Sequence, residues 1–361
     1  NKAVNISTTS SAKVTEATTI DNATNTNNGG SNTYNIEDNA TNIAASSSEF
    51  LAKAGTVTVS GTANKAQANT IGGFAKAVTF NIADDAVNIA TINSSALNEA
   101  VNISANTAAT VAEAKIIDDA TNSGSNTYNI NDTALKLFEG DSVAIIAAGT
   151  VTSSTSATAS QANRISGFSK SVTYNLSDTS ANLAGANSEA LNQAAGITAS
   201  DVATVAQATI IKAAGNSGTT TYSITDTAAA IAAAATAVLN GAQHIVTTDD
   251  PNIVQATTIE NASNQGDNTY NINDSAENIA ASSNAVIKLG QTVTANTNAT
   301  PTQATTISAF DKAVVYNIEG SASDIAGLGA VARNESVNII LSGNANIAQA
   351  KIITDATNSG W

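Results

Sequence analysis

Residues 270–286 read YNINDSAENIAASSNAV, and the reading of this stretch decides the fold. It runs apolar-Asn-Ile, then a small polar patch, then an Ala-rich amphipathic segment. The same order appears in VNISANTAATVAEAKI at 101–116. Its first element recurs as TYNI at 33–36, 127–130 and 269–272, with TFNI at 79–82, TYNL at 173–176 and TYSI at 221–224. In VTFNI at 78–82, Val78, Phe80 and Ile82 share one face while Thr79 and Asn81 take the other, the alternation of a half-buried strand.

Each strand-like stretch has an apolar anchor. The anchors are Ile6, Ile36, Val57, Ile82, Ile103, Ile130, Val151, Leu176, Ile197, Ile224, Ile245, Ile272, Val293, Ile318 and Ile339. From Ile36 on, every second spacing is 21 residues and the others are 25 or 27; only the first, from Ile6, is 30. Two related half-repeats therefore alternate, and such a period marks a repeat architecture.

The segments after the anchors read as helices. Asp38, Asp84, Asp132, Asp178, Asp226 and Asp274 each stand two residues beyond an anchor and ahead of an Ala-rich run, as an N-cap would. Gly320 replaces the Asp once, so a weaker cap is expected there. DTAAAIAAAATAVLNG at 226–241 has high helix propensity and ends on Asn-Gly, a helix stop. The other half carries Q/E-A-x-x-I, from Glu16, Gln67, Glu113, Gln161, Gln207, Gln255, Gln303 and Gln349, with Ala and Ile on one helical face. Pro251 and Pro301 fall just upstream of this motif, and DDP at 249–251 reads as a cap with Pro at the first helical position. Thr and Ile also favour strands, so an all-β solenoid is the alternative.

Strand, helix and return give an α/β right-handed solenoid of about fifteen units, 1–361, with parallel pairing in one sheet. It follows the general plan of leucine-rich repeats without their L-x-x-L-x-L-x-x-N pattern.

Composition narrows the function. The chain lacks cysteine, which removes disulfides, zinc-thiolate sites and thiol nucleophiles. A net charge of −15 with two arginines excludes a phosphate-binding surface, hence nucleic acid. No apolar run approaches the roughly 18 residues that span a bilayer, so membrane insertion is not expected. Aromatics at 4% suit a thin core extended along one direction. The first residue is Asn1 rather than Met, so the chain reads as processed or excised. It starts (NKAVNIS) and stops (QAKIITDATNSGW) within a repeat, which implies further repeats or stacking on other copies.

Tandem YNI-x-D-T/S-A-x-NIA followed by A-T-V-A-Q-A-T-x-I resembles repeats of very large bacterial cell-surface and secreted proteins, of the adhesin or surface-layer kind. The resemblance covers nearly the whole chain. It implies a structural or adhesive segment, extracellular or at the cell surface, acting as stalk, spacer or lattice element. Many such proteins carry G-G-x-G-x-D calcium nonapeptides. None occurs here, NGGSN at 28–32 reads as a loop, and no calcium roll is implied.

No cofactor, metal or catalytic residue is expected. His244, the single histidine, stands before Ile245 where other rungs have Asn or Thr, and reads as an outward residue despite Asp249 and Asp250 nearby. Gly124, Gly218 and Gly266 read as helix C-terminal turns. A ligand would meet the outward sheet face: Thr33, Asn35, Thr79, Asn81, Thr127, Asn129, Thr173, Asn175, Thr269 and Asn271. Stacked, these make polar ladders that satisfy one another, or a flat surface for a glycan, another copy of the chain or ice. Asn residues, His244 and Ser223 interrupt the regular Thr rows that ice would need.

Overall fold

The computed structural model describes residues 5–25 and 30–359. The terminal readings at 1–4 and 360–361 lie outside these residues, as do positions 28 and 29 of the NGGSN loop, whose Asn32 begins a strand. The chain divides into two compact units, 1–175 and 176–361.

All fifteen anchors lie in strands, and from Ile36 to Ile318 all are buried. Each strand with its following helix forms a rung, and two kinds alternate. Tyrosine rungs carry the Tyr/Phe-Asn-Ile element; glutamine rungs carry Q/E-A-x-x-I. Anchors 21 residues apart pair directly in parallel, as Ile36 with Val57, Ile82 with Ile103, Ile224 with Ile245 and Ile272 with Val293. At the longer spacing the pairing is split. Ile103 faces Asn126, while Ile130 bridges Ala109.

The parallel pairing thus forms several sheets rather than one. In unit 1–175, strands of residues 36–39, 57–63, 79–84, 103–105 and 126–127 make a five-stranded sheet, with smaller sheets before and after it. Unit 176–361 has a five-stranded sheet from Asn175–Asp178 to Asn268–Thr269, then two pairs. The interruption lies inside tyrosine rungs. Asn126–Thr127 pairs with the rung before it and Ile130–Asp132 with the rung after, while Tyr128 and Asn129 join neither ladder.

All eight Q/E-A-x-x-I segments are α-helices, from Val14–Asp21 to Ile347–Thr354, and the all-β alternative fails. The Gln or Glu is the third helical residue. Its side chain accepts the N–H of the residue before the helix, at 2.8–3.0 Å in all eight. From the second helix on, an Asn or Thr there returns the bond, completing a capping box. Ala and Ile three apart face the core: Ala208, Ile211, Ala256 and Ile259 are all fully buried.

Tyrosine rungs depart from the single helix expected. DTAAAIAAAATAVLNG forms two short helices, Ala228–Ala233 and Thr236–Asn240, with extended backbone at Ala234 and Ala235. Six other rungs split likewise. A straight helix over this run would overshoot a strand of about five residues, whereas two pieces each press apolar side chains on the core. The strand tyrosine fixes the second piece: the Tyr128, Tyr222 and Tyr316 hydroxyls donate to the carbonyls of Ala144, Val238 and Ala332. Pro301 begins its helix as expected, but Pro251 precedes the cap Asn252 and stands outside the helix.

Candidate functional site

The recurring polar side chains join one rung to the next. The aspartates stand one residue before the caps of the helices that follow, which are Asn39, Asp85, Thr133, Thr179, Thr227 and Ser275. This corrects their assignment as N-caps. One carboxylate oxygen accepts the N–H of that cap residue at 2.7–2.8 Å. The other accepts the first helical N–H of the preceding glutamine rung. Val14 donates to Asp38 at 3.0 Å, Lys65 to Asp84 at 2.8 Å and Val111 to Asp132 at 2.9 Å. Val205 donates to Asp226 at 3.0 Å and Ile253 to Asp274 at 2.9 Å. Helix-start N–H groups have no partner within their own helix, so each carboxylate supplies a missing acceptor to a neighbouring rung.

The reverse contact also recurs. Ala86, Ala134 and Ala276 donate their first helical N–H to the hydroxyls of Thr107, Thr155 and Thr297 in the following rung. Ser180 and Ala228 donate to Asp201 and Asp249 at 2.6 Å. Asp249, beside the lone histidine in sequence, is thereby accounted for as a cap. His244 is exposed, and its carbonyl accepts from Ile224.

One junction is built differently. Gly320 replaces the Asp, and the helix start it faces is Pro301, which has no N–H to be accepted. A Cβ on Gly320 would lie 2.8 Å from Pro301 Cγ, so the ring occupies the space of the missing side chain. The local cap is not lost, because Ser321 accepts the Asp324 N–H.

Burial would raise the Asp38 carboxyl, but the Val14 N–H, the Asn42 amide, the Asn39 N–H and Lys13 outweigh it and hold it below the usual carboxylate value. Asp84 behaves alike. Burial opposes ionisation, and the Lys65 N–H, the Asn88 amide, the Asp85 N–H and the Lys65 charge favour it more. Burial pushes Tyr222 up to about 12, and burial with Glu260 nearby does the same for Tyr270. These hydroxyls stay protonated.

Of the ten outward residues, Thr33, Thr79, Asn81, Thr127, Thr173, Asn175 and Thr269 lie in strands, whereas Asn35, Asn129 and Asn271 fall in the breaks between strands within tyrosine rungs. Thr33, Asn35, Thr79, Thr127, Asn129, Thr173 and Asn175 are exposed; Asn81, Thr269 and Asn271 are half-buried. Several of the Asn side chains are already engaged. Asn35, Asn129 and Asn271 accept the N–H of Thr56, Thr150 and Thr292, and Asn81 accepts both the N–H and the side-chain amide of Asn102. Thr79 faces Thr58 and Asn81 faces Thr62, so a bulge separates the Thr and Asn columns. The face has shallow concavities rather than a flat plane. One of about 340 Å³ includes Thr33, Asn35 and Lys53. Another of about 200 Å³ includes Thr269, Asn271, Asp249 and Asp250. Among the described residues no three His, Asp or Glu side chains gather to hold a metal, and no helix is long and apolar enough to cross a membrane.

Gly124, Gly218 and Gly266 are not helix-terminal turns. They lie where a returning loop touches the rung before it: a Cβ at Gly218 would be 1.9 Å from the Ala195 oxygen, and at Gly124 2.4 Å from that of Val101. A further Asn series was not singled out from the sequence. Asn98, Asn192, Asn240 and Asn334 accept the N–H groups of Thr121, Gly215, Ser263 and Thr357. Their constant offset of 23 residues was the available signal. Against known proteins, no family model and no curated protein matches the chain.

Proposed function

We propose that this chain is a structural repeat segment of an extracellular bacterial surface or filament-forming protein, serving as stalk, spacer or lattice element. In this reading the rungs continue as one right-handed solenoid. The observation that carries it is the use of the recurring polar groups: Asp, Asn and Thr side chains bond to the backbone of neighbouring rungs. Nearest-neighbour bonding of this kind suits an array whose repeats hold only their neighbours. The recurring aspartates accept backbone N–H groups at helix starts, which supports a non-enzymatic role.

A second reading, binding of glycans or of other copies through the Thr/Asn face, is favoured by the exposed Thr33, Thr79, Thr127 and Thr173. Antibodies against the chain should label intact, unpermeabilised producing cells, with filaments or lattices visible by electron microscopy. Labelling only after permeabilisation would overturn the extracellular reading. Saturable glycan binding lost in Thr79→Val and Thr127→Val would favour the second.

A further inference from the structure

Junctions between rungs in the unit 176–361 are not equally bonded. Where the glutamine rungs at 197 and 245 meet the next rung, strands run side by side. Ile197 pairs with Thr220 and Ala203 with Ile224; Ile245 pairs with Asn268 and Val246 with Thr269. Where the rung at 293 meets the rung at 318, single pairs remain, Thr294 with Val315 and Ala299 with Ile318. The carboxylate bond is missing at the same place, since Pro301 has no N–H and Gly320 no acid. Asn298 reaches Glu319 across this junction at 2.8 Å, in an exposed contact. A third change falls on the same rung. Leu191, Leu239 and Ile287 stand seventeen residues beyond Tyr174, Tyr222 and Tyr270, on the second helical piece, and all are buried. At that position the rung of Tyr316 has Arg333, which is half-buried. Its guanidinium donates to the carbonyls of Ile325, Ala326 and Leu328, so it ties Ala330–Glu335 back to the end of Ala322–Ala326. An aliphatic side chain there joins a core shared between rungs; the arginine serves its own rung. On the far side, strand Ile318–Gly320 is paired along its length with Ile339–Leu341.

We propose that the array has a built-in opening plane between helix Pro301–Ile307 and strand Ile318–Gly320, where two rungs part while the rung of Tyr316 stays folded. Rungs of a repeat array are held by their neighbours alone, so the least bonded junction yields first. Three features meet at this one: a short strand pairing, a proline and glycine in place of an amide and its acceptor, and an arginine that braces the rung from within. In the stalk reading, on which this role rests, the plane limits the load that the array carries. The opening itself does not depend on that reading.

The test is amide exchange in the intact chain at rising denaturant. The Glu319 and Ala299 N–H groups donate across the plane, to the carbonyls of Ala299 and Asn317. Asn273 makes the matching bond to Pro251 one long-spaced junction earlier, and Ile325 donates within its own rung to Ser321. Glu319 and Ala299 should exchange together at the lowest denaturant, with Asn273 and Ile325 protected to higher concentrations. Ile325 lies beyond the plane, so unravelling from the far side would release it first. Pro301→Ile with Gly320→Asp rebuilds the carboxylate bond and should slow Glu319 exchange about tenfold, the effect of a hydrogen bond to a charged group. Arg333→Leu, a separate chain, should slow it too by restoring the shared core. Exchange of Ile325 with or ahead of Glu319 overturns the proposal, as does a Glu319 rate that neither variant moves. If the order of exchange fails while antibodies label intact cells and filaments form, only the opening plane falls. If the order holds and surface labelling fails, only the stalk reading falls.

Discussion

Two junctions in the same unit solve one problem in opposite ways. At Ile253 the helix start offers an N–H, and Asp274 accepts it at 2.9 Å while also taking the Ser275 N–H and the Asn278 amide. At Pro301 there is no N–H, and Gly320 offers no carboxylate. The comparison shows what the aspartate is for. It answers a neighbour's unpaired amide, and where that amide is removed the acid is absent too. A carboxylate whose role was to cap its own helix would have no reason to vanish opposite Pro301, since Ser321 still caps the helix there.

The sharpest way to break the comparison is Asp274→Ala. It leaves helix-start amides unpaired beside a residue only 8% exposed, and should cost about 2–3 kcal/mol in denaturant unfolding. A loss no larger than that of an exposed cap substitution would mean that the bond between rungs contributes little. Rebuilding the other junction sharpens the point. Ile253→Pro combined with Asp274→Gly should cost less than the two single changes added, with a coupling of about 1 kcal/mol or more. Strict additivity would break the link between proline and glycine.

Acid should weaken the clamps in the unit 1–175. Asp38 and Asp84 are held below the usual carboxylate value, so their stabilisation is present above the unfolded value of about 4 and is lost as pH falls through the lower folded values. Melting temperature should therefore drop below about pH 4, and Asp38→Asn with Asp84→Asn should flatten that drop. An unchanged acid slope in the double variant would assign the effect elsewhere. The smallest effect is a gain. Gly343 stands where Thr107, Thr155 and Thr297 supply hydroxyls, and a Cβ there meets nothing within 4 Å. Gly343→Thr should stabilise by about 0.5–1 kcal/mol by accepting the Ala322 N–H. Gly61 holds the same place at φ +89°, so a side chain added there carries backbone strain that Gly343 avoids.

Much of this fold was legible because it repeats. The anchors fall in strands since alternation around Ile82 or Ile272 reports a buried face directly, and Q/E-A-x-x-I reports a helix because its Ala and Ile, three apart, fall on one face. Features set by a distant partner were not legible. Nothing local in the alanine run marks a break at Ala234–Ala235; tertiary packing and the Tyr222 hydroxyl override propensity there. Asp274 lies next to one helix and serves another 21 residues upstream, so proximity in sequence suggested the wrong beneficiary. The joint absence of Asp at 320 and of an N–H at 301 was the visible clue. The flatness of the outward Thr and Asn face was not legible, because Asn35, Asn129 and Asn271 fall in breaks between strands and the bulge between Thr58 and Thr62 depends on register with the next strand.

The most direct test of the account is residue-resolved amide exchange in the unaltered chain. Helix-start amides ordinarily exchange fast, having no partner within the helix. The N–H groups of Val205 and Ile253 should instead be protected like mid-helix amides, the Ile347 N–H should exchange freely, and Asp274→Ala should release Ile253 while leaving Val205 protected. Fast exchange at Val205 and Ile253 in the unaltered chain, no different from Ile347, would contradict the claim that these aspartates hold one rung to the next.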